Sequence, residues 1–146
     1  MMLRLETVDP GLVAMVDGAS DATRRAVAAA AVALTREWTG LNDERVLALP
    51  AAVAEGRVGD CSERRAVNSL VEELDGVQWD VQDGVDAGDA TAEEHLEAFS
   101  RARAAASVAF AADDDARSAA LEGLYEAAMA IDDLGMLRDA VGRVVL

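Results

Sequence analysis

Few residues in this chain are equipped for covalent or proton-transfer chemistry. There is one histidine, His95, one cysteine, Cys61, and no lysine. A serine nucleophile would need His95 as its base, since no other imidazole exists. No serine sits in a Gly-x-Ser-x-Gly elbow. His95 falls on the side of its helical segment shared with Leu96, Phe99 and Ala102, where a packed or hydrogen-bonded structural imidazole is expected. Cys61 follows Gly59-Asp60 with no second thiol or imidazole nearby, so its thiol reads as structural. Phosphate-cradling loops need a Gly-rich turn with Lys, and there is no Lys. The sequence therefore offers no catalytic residue and implies no cofactor.

Metal chemistry fares no better. A four-helix di-iron site needs two Glu-x-x-His pairs. Position 92, three before His95, is Ala, and there is no second His. Between Asp80 and Glu94 the acids Asp80, Asp83, Asp86, Asp89 and Glu93 recur at about three-residue spacing. That spacing suits one face of a helix and not the alternating ligands of a calcium loop. No metal ligand set is expected.

The acids themselves form the sharpest pattern. Between Arg65 and Arg101 there is no Arg or Lys, and ten carboxylates fill the gap. At about 100° per residue, the apolar stripe Val67, Leu70, Val71, Leu74, Val77, Val81 and Val85 centres near Leu74 and Val81. Trp79 then points roughly 140° away from that centre, among Glu72, Asp75, Asp83 and Asp86. A tryptophan ringed by carboxylates suits a basic partner, because arginine stacks on indole and Trp is favoured at binding hot spots. The alternative is that Trp79 packs under a neighbouring helix. Arg103, at the margin of the next apolar stripe, needs a carboxylate partner if it is buried.

The elements that must position these residues read as helices separated by caps. Asp9-Pro10 opens a short helix that Gly18 ends. Ser20 caps a segment running to Thr39, with Gly40 as its stop. Its apolar positions fall on two faces, so it should be buried on more than one side. Glu44 to Glu55 forms a third segment, in which Pro50 should produce a kink or two short helices. The 56–61 loop is the expected boundary between two helical subdomains. Glu63 to about Asp86 is the longest helical pattern, with Gly76 and Gly84 as weak points. Thr91 and Glu94 fit a capping box. Two further helices follow Asp113-Asp114-Asp115. No segment alternates like a strand. The expected fold is an all-α, single-domain bundle of about six to seven mostly antiparallel helices over residues 1–146.

Composition bounds the function. The chain has 146 residues, of which 52% are hydrophobic, enough for a sizeable core. Its 28 Asp and Glu against 13 Arg leave a net charge of −15, which argues against nucleic acid and anionic membranes as partners. The acids at Glu6 and Asp9 interrupt any secretory signal, so a cytoplasmic protein is expected. The expectation is a small acidic protein that binds a macromolecule, in its most concrete form an inhibitor or immunity-type protein covering the basic surface of a protein partner. Its contact residues would be Glu72, Asp75, Trp79, Asp83 and Asp86. Three alternatives stand beside it. A scaffolding homo-oligomer predicts an exposed apolar patch. An enzyme built from carboxylates and Arg predicts a pocket holding two acids. Acidity that serves only solubility in salt predicts acids spread evenly over the surface.

Overall fold

A computed structural model of the chain describes residues 3–145. A 3-10 turn at Arg4–Thr7 leads into seven helices: α1 (Pro10–Asp17), α2 (Asp21–Thr39), α3 (Glu44–Ala54), α4 (Ser62–Ala87), α5 (Ala92–Phe110), α6 (Ala116–Ala130) and α7 (Leu134–Val145). No strand occurs among the described residues. The fold is an all-α bundle.

The caps set these boundaries. Asp9 accepts hydrogen bonds from the Gly11 and Leu12 amides, Ser20 from Thr23, Thr91 from Glu94 and Asp115 from Ser118. Each satisfies an amide that the first helical turn leaves unpaired. Gly40 and Gly88 close α2 and α4 with φ of 68° and 82°, in the left-handed region that favours glycine.

Helix α2 lies between two apolar clusters. Ala28 and Val32 face Val46 and Leu49 of α3, Val67 and Leu70 of α4, and Val108 of α5. Val27 and Ala31 face Leu12 and Val16 of α1, Leu121 and Leu124 of α6, and Leu137 and Val141 of α7. Two adjacent apolar faces on α2 therefore serve two sides of the core. Helices α3 and α4, on either side of the 56–61 loop, share the first cluster. The loop is also pinned to the end of α5, since the Gly59 amide donates to the Ala112 carbonyl at 2.7 Å.

Of the two outcomes expected at Pro50, the division into two short helices does not occur: α3 continues through Pro50 as a single helix. Val46, Leu49 and Ala52 are all fully buried and straddle the proline. Their packing holds both turns in place despite the lost hydrogen bond.

Helices α4 and α5 pair antiparallel through a short turn. Gln78 meets His95, Asp75 meets Arg103, and Gly84 lies against Ala90. From Val71 to Arg101 the only buried residue is Gln78. The distal half of this hairpin thus leaves the core, and its two helices cover little but each other.

Candidate functional site

The projecting hairpin carries the acidic stretch. Its ten carboxylates amount to two-thirds of the net charge, and all but Asp75 are exposed. Trp79 stands on it 62% exposed, the most open large apolar side chain among the described residues. Val77, at the edge of the apolar stripe, is half exposed as well, because no third helix covers this part of α4.

At the root of the hairpin a cleft of about 330 Å³ opens beside Trp79. Helix α4 contributes Asp75, Gln78 and Trp79, α5 contributes Phe99 and Arg103, and α6 contributes Tyr125, Glu126 and Met129. Arg4 closes one side from the N-terminal turn. Two guanidinium groups organise its charge. Arg103 donates to Glu126 at 2.9 Å and to Asp75 at 2.7 Å. Arg4 bonds Glu122, lies 3.4 Å from Glu126, and stacks 4.2 Å from the Tyr125 ring centre. Burial alone would lower the Arg4 pKa, but the Glu122 hydrogen bond and the Glu122 and Glu126 charges raise it above the ordinary arginine value. Glu126 is only 2% exposed, and these two arginines compensate its desolvation.

His95 belongs to the same region and is engaged within the hairpin. Its Nε2 lies 2.6 Å from the Gln78 amide nitrogen, so the amide donates and the ring accepts. The ring also tilts against Phe99. The pair gives the hairpin a part-buried polar contact beside the Arg103–Asp75 pair. Among the described residues no group of three or more His, Cys, Asp or Glu side chains is arranged to hold a metal ion.

The five sequence-selected residues divide. Glu72, Trp79, Asp83 and Asp86 are exposed along one stripe of α4. Gln82 donates to Asp86 at 3.0 Å, steadying that carboxylate at the outer end of the stripe. Asp75 turns inward to Arg103 and, with Trp79, lines the cleft. No protein-family model, no curated protein and no solved structure matches the chain.

Arg4, Tyr125 and Glu126 were not selected from the sequence. A signal for Glu126 was present. Ala119, Gly123, Glu126 and Ala130 recur at i, i+4, i+7 and i+11, which puts a carboxylate in a stripe of small residues. A glutamate in such a stripe faces a close neighbouring helix, and Arg103 is the group that neutralises it.

Proposed function

We propose that the protein works by binding a basic protein partner through the exposed face of the α4–α5 hairpin, as an inhibitor or immunity-type protein. Trp79 carries this reading. An indole 62% exposed, in a stretch with ten carboxylates and no Arg or Lys between Arg65 and Arg101, offers a flat apolar surface beside Glu72, Asp83 and Asp86, with Arg4 and Arg103 on its cleft side. An arginine side chain of the partner would stack on that ring while its charge meets Asp83 and Asp86. The surrounding field would speed encounter and reject acidic surfaces. On this reading the protein acts in the cytoplasm and carries out no reaction of its own. Asp75 and Glu126 do share a cleft, but both accept hydrogen bonds from Arg103, at 2.7 and 2.9 Å. That arrangement favours a structural ion-pair network over an acid–base pair.

The test uses Trp38→Phe protein, in which Trp79 is the only fluorophore of its kind. Oligo-arginine peptide is expected to quench Trp79, less so as salt rises, and oligo-lysine to act more weakly. A parallel pull-down from source-cell lysate at low salt compares the native protein with Trp79→Ala/Asp83→Arg. A basic protein retained by the first and lost by the second supports the proposal. No Trp79 response to either peptide and identical retention by both proteins would reject it.

One observation favours a second reading, a homo-oligomer. Trp38, 43% exposed, and Leu96, 54% exposed, line one groove of about 560 Å³ together with Met129 and Ile131. If copies meet there, Leu96→Glu converts an oligomer to a monomer in sedimentation. A native protein that is monomeric at high concentration removes this reading.

A further inference from the structure

A second cleft, of about 160 Å³, lies between α2, α3 and the end of α5, and shares no residue with the cleft beside Trp79. Its walls are apolar, built chiefly from Val32, Pro50, Val53 and Val108. Its only charged lining residues are Arg25 and Arg36. In a chain of net charge −15, a cleft with two guanidinium groups and no carboxylate is electrostatically opposite to its surroundings.

The two arginines stand differently. They lie eleven residues apart on α2, three turns along one face. Arg25 donates to the Ala111 carbonyl at 3.3 Å and the Asp114 carbonyl at 2.9 Å, so it is occupied in closing the end of α5. Arg36 forms none of the ion pairs found among the described residues. Its Nε is buried and has no hydrogen-bond partner. The Nε is sealed from solvent, so a ligand in the cleft would meet the two terminal nitrogens of the guanidinium, which form no hydrogen bond or ion pair and suit a carboxylate.

We infer that this cleft binds a small monocarboxylate with a short apolar tail, its head on Arg36 and its tail against Val32, Val53 and Val108. At roughly 30 Å³ for a water-sized group, the cleft holds about five such groups. That matches the five-carbon tail of hexanoate, with the carboxylate standing beyond the tail on Arg36. A phosphate would find one free guanidinium and otherwise apolar walls, too few donors for a dianion. A neutral alcohol of the same shape would accept from Arg36 only through an uncharged hydroxyl, a weaker bond than a carboxylate makes. The single free guanidinium thus selects the head group, and the apolar walls favour an apolar tail.

The test is a methyl-resonance titration of the whole chain with sodium hexanoate, hexanol, hexylamine and inorganic phosphate. Hexanoate is expected to shift the Val32, Val53 and Val108 methyl signals saturably. Hexanol should bind about tenfold to a hundredfold more weakly, the factor a charge-assisted hydrogen bond supplies. Hexylamine and phosphate should leave those signals in place. Arg36→Gln should reduce hexanoate affinity to that of hexanol. Val53→Phe, which fills the cleft and keeps Arg36, should abolish binding of both. If Arg36→Gln does not fold, the Val53→Phe result and the hexanoate–hexanol ratio decide the matter. Equal affinity for hexanoate and hexanol, shifts located elsewhere, or no saturation would overturn the inference.

Discussion

At the scale of single residues, the arginine network around Glu126 is the most consequential feature. Replacing Arg103 with Met leaves this carboxylate, 2% exposed, with only the more distant Arg4, 3.4 Å away. Breaking a buried pair costs about 3–5 kcal/mol, and the residual Arg4 contact places the expected loss at the lower end, about 3 kcal/mol. Urea unfolding measures it, and Arg103→Met/Glu126→Leu should recover most of it. A loss below about 1 kcal/mol would put the pair on a par with a surface bridge. Asp9 gives a second residue-scale expectation. Burial raises its pKa, but the Arg138 hydrogen bond and the Leu12 and Gly11 amides outweigh burial and lower it. The folded value is below the unfolded one, near 3.9 by ordinary aspartate behaviour. Its stabilisation is therefore complete above about pH 4 and is lost as pH falls through the folded value. The stability gap between native protein and Asp9→Asn should shrink as pH drops below about 4. A gap that stays constant there would show no linkage. Asp43, lowered to about 2 by the Arg45 side chain and amide, extends the same trend to stronger acid. Trp79's outward direction was legible from helical spacing alone. The diversion of Asp75 was not, because its partner Arg103 is 28 residues away and any of ten acids could have served.

At the scale of elements, glycine separates the two halves of the hairpin. Gly76 and Gly84 both lie within the part of α4 that projects beyond the core, yet their surroundings differ. A Cβ on Gly76 would meet nothing within 4 Å, whereas one on Gly84 would stand 3.1 Å from the Ala90 Cβ. Gly76→Ala should therefore gain nearly the full helix-propensity difference of about 1 kcal/mol. Gly84→Ala should gain little or lose stability, because Ala90 lies in the returning turn. Since the distal hairpin buries only Gln78, global unfolding is a blunt reporter of either change. Amide exchange within α4 should slow in the first variant and not in the second. Equal slowing in both would show that the Ala90 contact relaxes freely. Element boundaries were readable because they are written locally, in Asp9, Ser20, Thr91, Gly40 and Gly88. Continuity through Pro50 was not, because it depends on three buried side chains gripping α3 from other helices. The 3-10 turn escaped notice for the same reason. Arg4 is held in place by Glu122, 118 residues away.

At the scale of the whole molecule, the charge is unevenly placed, and that asymmetry has a thermodynamic signature. Ten of the carboxylates sit on the projecting α4–α5 hairpin, nine on its helices and Asp89 in the turn, with no Arg or Lys in the sequence between Arg65 and Arg101. Repulsion among them falls on the part of the fold with the least apolar burial to oppose it. Salt shortens the range of that repulsion, with a screening length of about 30 Å at 0.01 M and about 8 Å at 0.15 M. The ion pairs elsewhere are mostly exposed and lose little when screened. Raising the salt should therefore stabilise the hairpin more than the rest of the molecule. Amide protection between residues 71 and 101 should rise with salt, while that of α6, buried on nearly every side, should stay near its low-salt value. If the acids acted only as an even solvating coat, protection would rise by the same factor in both. A partner's basic surface would screen the same carboxylates at close range, so residues that gain protection in salt should gain it again on binding.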